Sequence, residues 1–211
     1  MKTRSRQIAT TVIMALLLLL VSIAPAAQQK AAPSAVPAPK ASLPVLLTSC
    51  GQSPGPTTFD IFLKKLKMDY VYKLDATAAD LAGKSPAGAP VKSLIIVTGA
   101  SLKGMGAAGV SIEEEITRIQ ALIAAAKKQN IRVIGAHIEG MKRRAQGAAP
   151  GDNSDEMTID AVCPFSSLLI IKKDGNEDGR FTAISKDKNI PMISYEKNMD
   201  LENVLKDLFG K

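Results

Sequence analysis

The chain has 211 residues, 27 basic and 20 acidic, for a net charge of +7; Trp is absent and aromatic residues make up only 4%. Lys2, Arg4 and Arg6 supply three of the positive charges and Lys30 and Lys40 two more, which leaves +2 from Leu43 onward. A nearly neutral folded region without aromatic platforms excludes nucleic-acid binding by a basic stripe or by base stacking.

In chain order, the first segment is an address rather than a fold element. The basic start is followed by Ile8 to Ile23, an apolar run without charge, and then by the small residues Ala24-Pro25-Ala26. Residues 1–26 therefore read as a secretory signal peptide, and the protein is expected in the periplasm or outside the cell. A membrane enters only if this segment is kept as an anchor, for which the run is slightly short. Leu47-Thr48-Ser49-Cys50 matches a lipoprotein box by letter, but it lies beyond a linker and inside an apparent strand, so lipidation is not expected. Residues 27–42 are Pro/Ala-rich with almost nothing to bury and read as a spacer. Residues 43–211 then suffice for a single α/β domain with a hydrophobic core.

Short apolar runs alternate with helical ones from Leu43 on. Strands are predicted at Pro44 to Ser49, Asp69 to Leu74, Ser93 to Thr98, Ile131 to Ala136, Ser167 to Lys172 and Ile190 to Tyr195. Helices are predicted at Thr57 to Met68, Thr77 to Leu81, Ser111 to Lys128, Ser154 to Val162, Phe181 to Lys188 and Asp200 to Phe209. Ser111 with Glu114 forms a capping box, and Glu113 to Glu115 and Lys127–Lys128 suit the two ends of the third helix. Continuously apolar strands between amphipathic helices predict a three-layer α/β/α sandwich. Its sheet is doubly wound, mostly parallel and of about six strands, Rossmann-like or flavodoxin-like. In such sheets ligands bind beyond the carboxyl ends of the strands. That rule selects the loops Cys50–Pro56, Gly99–Gly109, His137–Asp152 and Asp174–Gly179.

Gly104 to Gly109 spells GxGxxG, but Gly99 to Lys103 separate it from its strand and the helix is expected to open after it. With free NAD absent outside the cytoplasm, no dinucleotide is expected. Thr98, Ser101, Lys103 and the loop amides suit a small anion better. His137, the only histidine, follows a strand with Glu139 two residues on. It reads as a structural residue or as a ligand contact or acid–base group. Lys142, Arg143 and Arg144 read as a solvated run or as an anion clamp. Asp174, Asn176 and Asp178 stand in DxNxDG, the opening of a calcium loop. Ser185 holds the twelfth position, where Glu belongs, and a strand precedes, so an acidic turn is the leading reading and Ca2+ the secondary one. Cys50 follows the carboxyl end of one strand and Cys163 precedes the amino end of another. A strand length of about 17–20 Å would separate them, so both are expected as free thiols.

At these loops the chain resembles an uncharacterised exported bacterial family, domain of unknown function 6305. The resemblance spans Leu43 to Phe209. It rests on Pro44 to Ser49 with Gly51-Gln52-Ser53, on Thr98 to Ser101 with Lys103, Gly104 and Gly106, on His137-Ile138 with Arg143-Arg144, and on Gly175-Asn176 with Asp178-Gly179. Cys50 is a departure where a small residue is usual. The resemblance implies an α/β sandwich and export, and no activity.

The leading functional expectation is a binding module for a small anionic or polar molecule. Its contacts would come from Ser53, Thr98, Ser101, Lys103, His137, Glu139, Arg143, Arg144, Asn176 and Asp178. Neither a cofactor nor a nucleic-acid partner is expected. The alternatives are an extracytoplasmic hydrolase or transferase using His137 or Glu139 as base, and a non-catalytic scaffold domain.

Overall fold

A computed structural model describes residues 40–144 and 152–211. The signal segment, most of the spacer and part of the loop after His137 lie outside the described residues.

Six parallel strands form one sheet: β1 (Val45–Cys50), β2 (Tyr70–Tyr72), β3 (Ser93–Thr98), β4 (Arg132–His137), β5 (Leu168–Lys172) and β6 (Met192–Tyr195), in the order β2-β1-β3-β4-β5-β6. That is the flavodoxin-like order, not the 3-2-1-4-5-6 order of a dinucleotide-binding sheet. The order reverses between β1 and β3, so the crevice at their carboxyl ends is the topological switch point.

The helices are α1 (Gly55–Lys65), α2 (Leu102–Ala108), α3 (Ile112–Lys128), α4 (Met141–Arg144), α5 (Ser154–Val162), α6 (Arg180–Lys188) and α7 (Leu201–Phe209). Alternation along each strand sends side chains to opposite faces. Val45, Leu47, Ile95, Val97, Ile134 and Ile170 pack against α1 and α7 through Phe59, Phe62, Leu63, Leu201, Leu205 and Leu208. Leu46, Leu94, Ile96 and Val133 meet Ile119, Leu122, Ile123 and Ala126 of α3. Leu169 and Ile171 meet Ile159 and Phe181 of α5 and α6. Helices thus cover both faces, which gives the expected three layers.

Three expectations change. Gly99–Gly109 is not a loop throughout: Ser101 caps α2, its side chain accepting from Gly104 N at 3.0 Å. Gly104 is required there, because a Cβ would press into the backbone carbonyl of Gln52. The spacer's last residues belong to the fold: Ala41 N donates to Leu208 O, Ser42 N to Ser93 Oγ, and Arg132 Nη1 to Lys40 O. The predicted helix at Thr77 is a 3-10 turn, Ala78–Ala82. Among the described residues no helix is long and apolar enough to cross a membrane.

Candidate functional site

The carboxyl edge carries three connected layers of polar residues. The deepest lies under the turn after β1. Gly51 N donates to Glu115 Oε2 at 3.0 Å, and Arg118 holds the same carboxylate through Nε and Nη2 at 3.0 and 2.8 Å. Arg118 also donates to the carbonyls of Ser49 and Ala76. Burial pushes the Glu115 carboxyl up, but Arg118, Gln52 and the Gly51 amide outweigh it and hold it below the ordinary carboxylate range. This ion pair fixes the β1–α1 turn, where Gly51 (φ 93°) and Gln52 (φ 56°) are left-handed. Ser53 ends that turn almost wholly buried, its Oγ accepting from Gly55 N at 3.2 Å.

The second layer is the His137 layer. His137 is fully buried, with Nδ1 3.0 Å from Thr98 Oγ1 and its ring 5.1 Å from that of Phe181. Burial, helped by the Arg144 charge, lowers its pKa to about 4, so the imidazole is neutral at physiological pH. Arg144 is buried beside it. Its Nε and Nη2 donate to Glu156 at 2.7 and 3.2 Å, its Nη1 and Nη2 to Asp178 at 3.0 and 2.8 Å, and its Nη1 also to Gly175 O at 2.9 Å. The guanidinium lies 5.2 Å from the Phe181 ring centroid. All five donors of the fork are thus engaged within the protein.

These contacts correct several expectations. Arg144 is not a ligand clamp, because its donors are satisfied internally. His137 and Thr98 face each other in the core rather than a ligand. Asp178 is the Arg144 partner, and Asn176 caps α6, its Oδ1 accepting from Phe181 N at 2.8 Å. Asp174 Oδ2 holds Lys172 Nζ at 2.7 Å. The three residues proposed for Ca2+ therefore point to three different partners, and no cluster of metal-ligating side chains occurs among the described residues. Cys50 and Cys163 are buried free thiols. Burial raises both pKa values, Cys50 to about 12.

The third layer is accessible. Glu139 leaves β4 and reaches back toward the switch point: a Cβ placed on Gly99 would lie 3.0 Å from Ser53 Oγ and 3.5 Å from Glu139 Cδ. Gly99 (φ 145°) lets the three meet. The Glu139 side chain is 8% exposed, with Arg143 Nε in ion contact at 2.6 Å. That approach lacks hydrogen-bond alignment, so Oε2 is a buried oxygen without an aligned donor. Burial raises the Glu139 pKa to about 7; Arg143 opposes the rise and the nearby Asp155 adds to it. Burial also raises Asp155, whose Oδ1 accepts from Ala100 N. Arg143 is half-exposed, Ser101 partly exposed and Lys103 exposed on the rim.

Of the predicted residues, the structure gathers Ser53, Glu139 and Arg143 at the switch point, with Ser101 and Lys103 at its rim. Thr98, His137 and Arg144 form the buried support, which Asn176 and Asp178 hold from the surface side. Sequence reasoning missed Glu115, Asp155, Glu156 and Thr158. Glu115 had a signal: it stands in phase with Ile119, Leu122 and Ala126 on the buried face of α3, with Arg118 three residues on. Thr158, whose Oγ1 accepts from Gly99 N at 3.1 Å, had none.

A family model described as a domain of unknown function (DUF6305) matches residues 42–209. No curated protein matches the chain. Among solved structures it is similar to the psychrotrophic esterase EstA from Pseudoalteromonas sp., in a structure inhibited by monoethylphosphonate. Identity is 12%, the match covers 78% of this chain and 93% of that one, and the TM-score is 0.31.

Proposed function

The chain belongs to that family of unknown function, and we propose that its domain is an exported binding module for a small polar molecule held at the carboxyl edge around Glu139. The observation that carries the reading is the Glu139 carboxyl itself: buried at the switch point, titrating near neutrality, with one oxygen lacking an aligned donor. Buried polar atoms are ordinarily paired, and exceptions cluster at functional sites. A ligand hydroxyl or amine would satisfy Oε2, and a ligand carboxylate would take over the half-exposed Arg143 guanidinium. Such an exchange replaces one poorly aligned ion contact by two aligned hydrogen bonds. The ligand class is therefore a small acid that also carries a hydroxyl or amino group. Residues 1–26 support export.

The catalytic alternative, a hydrolase or transferase, keeps only Glu139 as a base near pH 7. His137 is sealed from any substrate by its burial.

A thermal-shift screen of the full chain against small hydroxy acids and amino acids tests the reading. A hit should raise Tm in the wild type and lose its effect in Glu139→Gln and Arg143→Ala. A library without hits, or a hit indifferent to both substitutions, overturns it. Chemical turnover of a hit that Glu139→Gln abolishes would transfer the site to the catalytic alternative.

A further inference from the structure

The amino edge of the sheet, opposite the Glu139 site, carries a second concavity. It forms where α3, α5 and α6 hand the chain back to β4, β5 and β6. The groove has a volume of about 490 Å³ and is lined by Lys127, Arg132, Phe165, Ser166, Ser167 and Lys188, among others. A second hollow of about 300 Å³ adjoins it, walled by Ile123, Ala124, Ala161 and Phe165. Lys127 and Phe165 belong to both. Phe165 is 46% exposed, and Lys127 Nζ stands 5.4 Å from its ring centroid.

Three cations line the groove and no carboxylate does. Among the described residues none of the three is in a salt bridge; the Arg132 guanidinium donates to the Lys40 carbonyl. Lys127 and Lys188 stand in last helical turns, where the helix dipole favours cations. The helix ends do not need them as caps, however. Asn130 N and Ile131 N already close α3, and Asn189 N and Ile190 N close α6. Arg132 lies on a strand and answers to no helix end. The charge is therefore in excess of what the fold requires, and it borders an apolar hollow that an exposed aromatic ring walls.

We propose that this paired groove and hollow is a binding site for a small anionic amphiphile, its acid group among Lys127, Arg132 and Lys188 and its hydrocarbon tail against Phe165, Ile123 and Ala161. The pairing is complementary in both chemistry and order: cations gather in the polar groove, and the tail removes apolar wall from water. The site is distinct from the Glu139 crevice, which lies a strand length away, about 17–20 Å.

Titration of the full chain with decanoate below its micellar range tests the proposal, with acetate and decyltrimethylammonium as the two controls. Decanoate should bind and raise Tm, whereas acetate lacks the tail and decyltrimethylammonium the charge, so neither should. Lys127→Glu with Lys188→Glu should weaken decanoate by about tenfold or more, and Phe165→Ala should weaken it as well. Lys127→Arg with Lys188→Arg keeps the charge and should retain affinity, and so should Glu139→Gln. Amide shifts on binding should map to Ser166 and Ser167 rather than to Gly99. Failure of decanoate to bind overturns the site. So does equal binding of either control, or decanoate affinity unchanged by the charge reversal.

Discussion

Thr98 Oγ1 lies 3.0 Å from His137 Nδ1 and 3.1 Å from the Ala136 carbonyl oxygen. A hydroxyl has one proton, and giving it to the carbonyl spares an orphan N–H at the buried Nε2. Thr98 Oγ1 must then accept from His137, which places the ring proton on Nδ1 and leaves Nε2 as a bare lone pair. Nε2 faces Gly175, where a Cβ would lie 3.5 Å away. A buried lone pair costs less than a buried orphan N–H, and protonation would create the latter. The low His137 pKa and the tautomer have one origin.

The imidazole of this chain is the only one, so its nitrogen-15 spectrum reports on a single residue. The Nδ1–H tautomer should be seen, and the ring should stay neutral from pH 8 down to pH 5, because its pKa is lowered to about 4. Titration with a midpoint near the ordinary 6.5 would show that the ring is not sealed.

Arg144→Ala should strongly destabilise the unliganded domain. The substitution leaves Asp178 without its cation and Glu156 with Arg180 alone, frees the Gly175 carbonyl and opens space over Phe181. Both carboxylates are about one-third exposed, which softens the penalty to about 2–4 kcal/mol in urea unfolding. Arg144→Lys should recover only part of it, since an ammonium cannot fork between two carboxylates and a carbonyl. A loss within experimental error of zero would return Arg144 to the role of a surface clamp.

Gly175→Ala tests how tightly the second layer is packed. The new methyl would press into the Glu139 carbonyl oxygen and sit 3.0 Å from His137 Cδ2. Backbone cannot yield as a flexible side chain can, so the cost should be about 1–3 kcal/mol. An unchanged unfolding midpoint would mean that the loop after β5 stands off from His137.

The layers were legible in the sequence because buried parallel strands carry no polar phase. The predicted strands Pro44 to Ser49, Ser93 to Thr98 and Ser167 to Lys172 agree with β1, β3 and β5 to within one residue at each end, and the predicted helix Ser154 to Val162 coincides with α5. The α2 helix was not legible, since Gly104 and Gly106 weaken helix propensity. Gly104 is there for close approach to Gln52, a tertiary demand that no local pattern reveals. The site was half legible. Strand ends located Ser53, Thr98, His137 and Glu139, yet direction is a property of packing. Arg143 and Arg144 are neighbours of like chemistry, and only the fold decides that one faces solvent and the other a pair of acids. Asp155 and Glu156 sit on α5, whose sequence pattern marks it only as a covering helix.

The pH dependence of stability separates His137 from Glu139. A lowered folded pKa contributes stability that is complete above the unfolded value and is lost as pH falls. For His137 that loss runs from 6.5 down to about 4. A raised folded pKa contributes stability that is complete below the unfolded value and is lost as pH rises. For Glu139 that loss runs from 4.5 up to about 7. In the shared window the two slopes oppose, so wild-type stability should be nearly flat from these groups. Glu139→Gln removes one slope and leaves the other. The stability of the variant relative to wild type should therefore climb as pH rises from 4.5 to 7, by about 1–3 kcal/mol, and level off above pH 7. Urea unfolding of both proteins at pH 4.5, 6, 7 and 8 measures it. A difference that does not change across those four points would mean that Glu139 titrates as an ordinary surface carboxylate, and the crevice would lose the group that makes it a site.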